Sequence, residues 1–222
     1  MLESAPDLKS PYRIEKTEDP RIVTISIDLE ALPKKPKLSE ADAVRLVSDA
    51  LAARKPSPAA ADALGFIETP GALHAVFAAA GTADEVPDEL RAALRLQWTV
   101  RGHRIRETVN DDDALATILR RSLPPYEGPP LIVYRGERAE QAERGQVGFN
   151  WTADRKVAEM FASGLCTLYP GGGVLLQAFA AVDAVISGSS AHSAYLGENE
   201  LVVEPGRLTD VTVLARYPAV GS

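Results

Sequence analysis

Apolar positions recur at helical spacing through the first half of the chain and gather into short unbroken runs in the second. The pattern opens with an irregular, polar lead-in over residues 1–20. Ile22, Val23, Thr24, Ile25, Ser26 and Ile27 then alternate around β-branched residues and predict an early strand. Pro33-Lys34-Lys35-Pro36 ends it. Ser39 followed by Asp42 resembles a helix start, with Leu46, Val47, Ala50 and Leu51 on one apolar face until Lys55-Pro56-Ser57-Pro58 stops the pattern. A short helix over Ala59–Leu64 and another over Ala72–Ala80 follow. Pro87 suits the first turn of an arginine-rich helix over Asp88–Leu96. Asn110 and Asp111–Asp113 cap a helix over Ala114–Arg121, with Arg120 and Arg121 at the end where the macrodipole favours cations.

After Leu123-Pro124-Pro125 the character changes. Leu131–Tyr134 is too short for a helix and is bounded by Pro and Gly, so it reads as a buried strand. A helix over Asp154–Ala162 is followed by Gly171-Gly172-Gly173 leading into a strand over Val174–Phe179. Further strands are expected over Leu201–Val203 and Asp210–Ala215. The expectation is therefore an α+β protein, with a helix-rich region over 1–122 and a β-rich region over 123–222.

Composition narrows the class. At 45% apolar and 25% charged residues, the chain is neither disordered nor fibrous. No run approaches the roughly 20 apolar residues that span a bilayer, and Met1–Lys9 has neither the basic start nor the apolar centre of a signal peptide. One cysteine, Cys166, forms no internal disulfide, so the cytoplasm is the expected compartment. A net charge of −7 argues against bulk attraction to nucleic acid, yet Arg91, Arg95, Arg101, Arg104 and Arg106 crowd into one segment. They read either as a solvated helix face or as a strip for phosphates or an acidic partner. His74, His103 and His192 have no ligand spacing, and with a single cysteine they build no metal site.

Three features of the second half carry candidate chemistry. Tyr134-Arg135-Gly136 closes an apolar strand, and that guanidinium must meet a carboxylate in a structural ion pair or an anion such as phosphate. Gly148-Phe149-Asn150-Trp151-Thr152 precedes a helix, with Thr152 or Asp154 as its cap and Trp151 as core, or with the group facing a ligand. Glu198-Asn199-Glu200 runs into Leu201-Val202-Val203. If extended, it puts both carboxylates on one face about 6.6 Å apart, suited either to solvent or to paired roles in glycosidic chemistry.

Taken in order, a strand-end arginine, an aromatic-hydroxyl turn with a helix, and Glu-x-Glu on a strand resemble the ADP-ribosyltransferases of the Arg-Ser-Glu class over roughly residues 130–216. The resemblance implies a split β-sheet catalytic half against which the helical N-terminal half packs. NAD is then the co-substrate, and the activity is glycosyl transfer of ADP-ribose to a macromolecular acceptor, either protein arginine or nucleic acid. By the same resemblance Glu200 bonds the nicotinamide ribose and Glu198 assists the acceptor. Arg135, with Tyr134 and Gly136 beside it, grips the phosphate and ribose region. Asn150, Trp151 and Thr152 stand at the Ser-Thr-Ser positions, with asparagine in place of the first serine. Trp151 and Tyr195 offer flat surfaces for nicotinamide and target, and Tyr195 with His192 lies in the loop that contacts the target. The compact members of the family suggest a toxin, restrained by an antitoxin or other inhibitory protein, with no membrane partner. An NAD glycohydrolase and a catalytically inactive binding module are the alternatives.

Overall fold

The computed structural model describes residues 12–16, 23–27 and 38–221. They fall into two compact units that divide at the Lys37–Leu38 junction. In the first, β1 (Tyr12–Lys16) pairs antiparallel with β2 (Val23–Ile27), Tyr12 opposite Ile27 and Lys16 opposite Val23. The expected early strand is thus present from Val23. The irregular lead-in is corrected at Tyr12–Lys16, where Tyr12, Ile14 and Lys16 alternate with Arg13 and Glu15 in the period of two that a strand needs. Met1–Lys9, Ile22 and the Pro33–Pro36 break lie outside the described residues.

The second unit begins with α1 (Glu40–Ala53), capped as expected: Ser39 Oγ accepts from the Asp42 amide and donates to its carboxylate at 2.6 Å. The helices α2 (Pro58–Ala63), α3 (Pro70–Thr82), α4 (Asp88–Val109) and α5 (Asp112–Ser122) follow. Only α4 departs strongly from expectation, running 22 residues rather than stopping at Leu96. Its polar C-terminal half carries no conspicuous apolar stripe, yet Leu90, Leu94, Trp98, Gly102 and Ile105 stay buried along one side. The helix ends at Asn110, a residue that tolerates the left-handed φ of 49° found there.

The remaining elements are β3 (Leu131–Arg138), α6 (Ala139–Glu143), β4 (Asn150–Thr152), α7 (Arg155–Ser163), β5 (Gly173–Ala180), β6 (Val185–Ser187), α8 (Ala191–Tyr195), β7 (Glu200–Val203) and β8 (Thr209–Tyr217). The fold is α+β, with a six-stranded sheet of order β6-β7-β4-β3-β5-β8 whose paired neighbours are all antiparallel. The sheet is nearly divided in two. Strand β3 pairs with β5 over eight positions, but with β4 only at Tyr134 opposite Thr152. Phe149, Ile186 and Val202 join the buried cluster formed by α1–α5, so helices and sheet share one core within this unit.

Glycine sets one close approach that positions the site. At Gly136 a Cβ would stand 2.4 Å from the Ala162 amide and 2.5 Å from the Ala158 carbonyl. The missing side chain lets α7 lie directly against β3.

Candidate functional site

The sheet order brings the three sequence features together, because β3, β4 and β7 are neighbours. Arg135 on β3 donates through Nη1 to the Asn150 carbonyl, and Asn150 Nδ2 donates to Glu200 Oε2 at 2.9 Å. A continuous hydrogen-bonded series therefore runs from Arg135 through Asn150 to Glu200.

Each member is held by a further residue: Arg135 by Glu137 and Asn150 by Trp98, neither of which the sequence singled out, and Glu200 by Arg95, which it named only as part of the arginine-rich segment. Arg135 Nε pairs with Glu137 Oε2 at 2.7 Å, and the same carboxylate accepts from the amides of Arg138 and Gly148. Burial pushes the Glu137 carboxyl up, but Arg135 and the two amides outweigh it and the net displacement is downward. Gly148 lies under the guanidinium, where a Cβ would come within 2.4 Å of Nη2. The expected ion pair of Arg135 is thus present, and the paired side chain also lines a cavity.

Asn150 is oriented by Trp98. The indole Nε1 donates to Asn150 Oδ1 at 2.8 Å, and because indole offers only a donor, the amide nitrogen must face Glu200. Asn150 thereby presents a donor to the Glu200 carboxylate. Trp98 itself packs edge-on against Phe149, with ring centroids 5.9 Å apart.

Glu200 is mostly buried and meets Arg95 from α4, with Nη1 at 3.3 Å from Oε1 and Nη2 at 2.8 Å from the Glu200 carbonyl. Burial raises the Glu200 carboxyl, and the nearby Glu198 charge adds to this. Arg95 and Arg135 oppose it without cancelling it. Burial likewise lowers Arg95 against the pull of Glu200.

The extended Glu198–Val203 segment is corrected. Asn199 adopts a left-handed φ of 46°, so β7 begins only at Glu200 and the two carboxylates do not alternate along one strand face. The cause is buried Ser193, whose carbonyl accepts from the Glu198 and Asn199 amides while its hydroxyl accepts from the Glu200 amide at 2.7 Å. Glu198 nevertheless lies near enough to Glu200 to raise its carboxyl. Thr152 Oγ1 donates to the Glu198 carbonyl at 2.9 Å, so this buried hydroxyl holds the Glu198 backbone.

The other expected contacts lie elsewhere. Trp151 is 2% exposed and donates to the Gly148 carbonyl, so it is core and offers no open ring face, a correction to its expected stacking role. Asp154 supplies the α7 cap, accepting from the Lys156 amide. Tyr134 packs on Ala158, Ala162 and Leu175, and Gly136 meets α7. Tyr195 is 87% exposed at the end of α8, a helix that the expected loop did not include.

The arginine-rich segment is neither of the surfaces expected of it. Arg91 donates to the carbonyls of Val86, Arg121 and Leu123, Arg101 to that of Ile67, and Arg106 to Val147 and the Asp112 carboxylate. With Arg95 committed to Glu200, only Arg104 of the five stays exposed. The helix is central, so its guanidiniums answer carbonyls at helix ends and in loops.

A cavity of about 510 Å³ adjoins the Arg135–Asn150 end of the series, lined by these two together with His103, Arg106, Arg138 and Gln141, whereas Glu198 and Glu200 do not line it. Of the expected cofactor contacts, Arg135 and Asn150 line it. Arg106 and Arg135 are already paired with Asp112 and Glu137, while Arg138 lies over the Tyr169 ring at 4.5 Å. Among the described residues no helix is long and apolar enough to cross a membrane. The chain matches no protein-family model, and neither curated proteins nor solved structures show significant similarity to it.

Proposed function

We propose that this chain is an NAD-dependent ADP-ribosyltransferase that moves ADP-ribose to a macromolecular acceptor, a protein arginine or a nucleic acid. The observation that carries the reading is the hydrogen-bonded series Arg135–Asn150–Glu200 across three neighbouring strands. Its members come from the three separate motifs on which the resemblance rests. A sheet whose halves share a single ladder pair supports the same reading.

Glu200 accepts a hydrogen bond from a hydroxyl of the nicotinamide ribose. Its negative charge stabilises the oxocarbenium-like centre formed as the glycosidic C–N bond breaks. The bonding pair leaves with nicotinamide, which departs neutral. Glu198 takes the proton of the acceptor nucleophile as its new bond to the ribose carbon forms. Arg135 and Arg138 face the cavity and suit the pyrophosphate, where a planar, permanently charged guanidinium donates two parallel bonds. Exposed Tyr195 is the aromatic surface available to an acceptor.

The test uses labelled NAD with the pure protein, alone and with cell extract later treated with protease or nuclease. Label on a macromolecule, removed by one of the two enzymes, is expected and names the acceptor class. Glu200→Gln lowers NAD turnover about 10²–10³-fold, the loss typical of one transition-state contact. Free ADP-ribose without labelled product makes the protein an NAD glycohydrolase, and NAD left intact in every tube makes it a binding module.

A further inference from the structure

Among the described residues only two charged residues are buried, Arg95 and Glu137. Glu137 serves Arg135, whereas Arg95, on the same helix as Trp98, has no part in the chemistry proposed above. Removing a guanidinium from water is costly unless its donors are met. Here they are met in a particular way. Nε donates to the Gly188 carbonyl at 3.3 Å, Nη2 to the Glu200 carbonyl at 2.8 Å, and Nη1 to Glu200 Oε1 and Thr99 Oγ1.

Gly188 and Glu200 are the two ends of the excursion between β6 and β7. That excursion holds α8, exposed Tyr195 and Glu198. Ser193 organises it from inside, and Arg95 closes its base from α4. One planar fork therefore fastens both ends of the segment and one oxygen of the carboxylate, whereas a lysine ammonium cannot reach three such directions as a fixed plane.

We propose that Arg95 is a positioning residue for ADP-ribosyl transfer, closing the base of the 188–200 excursion and fixing the Glu200 carboxylate between α4 and Asn150. The proposal rests on the transferase reading. Helix α4 is then a working part of the site. The charged groups facing Glu200 are Arg95 from α4, Arg135 from β3 and Glu198 from the excursion; uncharged Asn150 bonds its other carboxylate oxygen, Ser193 its backbone amide, and Thr99 the Arg95 guanidinium. Arg95 is the cation in direct contact, so its loss leaves burial and Glu198 to favour the protonated acid.

The experiment compares wild type, Arg95→Gln and Arg95→Lys in the full chain. The readouts are NAD consumption against pH, ¹³C titration of the Glu200 carboxyl (assigned with Glu200→Gln), and limited proteolysis of residues 189–199. In Arg95→Gln the Glu200 midpoint is expected to rise by about one pH unit or more, carrying the acid limb of turnover with it. The kcat falls about 10²-fold with KM little changed, and cleavage within 189–199 accelerates. Arg95→Lys keeps a cation, so it restores the titration while cleavage stays fast and kcat stays low. It also carries the test if Arg95→Gln does not fold. Unchanged kcat and cleavage in a folded Arg95 variant overturn the assignment of Arg95 alone. Wild-type protein inert toward NAD overturns the transferase reading, and with it the reaction that Arg95 serves.

Discussion

Glu137 sits two residues beyond Arg135 on the same strand, so the two side chains project to the same side and meet at 2.7 Å. Because its folded-state carboxyl titrates below the ordinary value, Glu137 contributes stability that is present above the unfolded value and lost as pH falls through the folded one. Glu137→Gln is expected to cost about 3 kcal/mol at neutral pH, since it leaves the mostly buried Arg135 without its partner. Chemical denaturation at pH 7 and again at acid pH measures this, and the difference between variant and wild type should shrink in acid. A constant difference across pH would mean that the pair is packing alone. At the same scale, two contacts fix the orientation of the Asn150 amide. Trp98 Nε1 commits one end of the amide, and the other end is left as a donor to Glu200.

At the scale of elements, local signals located most helices and strands to within a few residues. Ser39, Asp111 and Asp154 cap α1, α5 and α7 because short polar side chains satisfy the first free amides. Helix α4 ran past its expected end because its later half is held by long-range bonds from Arg101 and Arg106 and by burial of Trp98 and Ile105. The short strands β4 and β6, three residues each, carry too few positions for a period to register. Helix α7 depends on Gly136 for its approach to β3. Gly136→Val should force the two apart, lowering stability by about 2–3 kcal/mol and displacing Arg135 on the neighbouring position. Thermal unfolding reads the first effect and NAD affinity the second, and a variant as stable as wild type would show that α7 yields without strain.

On the scale of the whole molecule, the helices of 38–122 and the sheet that follows are one construction within the second unit. Phe149, Ile186 and Val202 complete the core of α1–α5, and Arg120 of α5 pairs with Glu204 beyond β7. A fragment of residues 123–222 would expose those three apolar side chains and leave Glu200 without Arg95. It is therefore expected to lack a cooperative thermal transition, whereas the full chain has one. A sharp transition in the fragment, by circular dichroism, would make the sheet an independent domain.

What the sequence determined by itself is whatever depends on neighbours a few positions away. Caps, breaks, the apolar runs of the strands, the change near Leu123 and the identity of Arg135, Asn150 and Glu200 as candidates were all legible. Tertiary structure decided the partners of buried polar groups, since the residue that answers a charge can lie anywhere in the chain. Arg95 and Glu200 are 105 positions apart, and Trp98 and Asn150 are 52. It also decided between the two readings of Trp151, core and not a face open to a ligand. The left-handed turn at Asn199, imposed by Ser193, broke an alternation that the residues alone would have supported. A run of arginines reads as a charged surface until packing supplies the carbonyls and carboxylates that claim them, and in α4 those come from a helix end, loops and a strand distant in sequence.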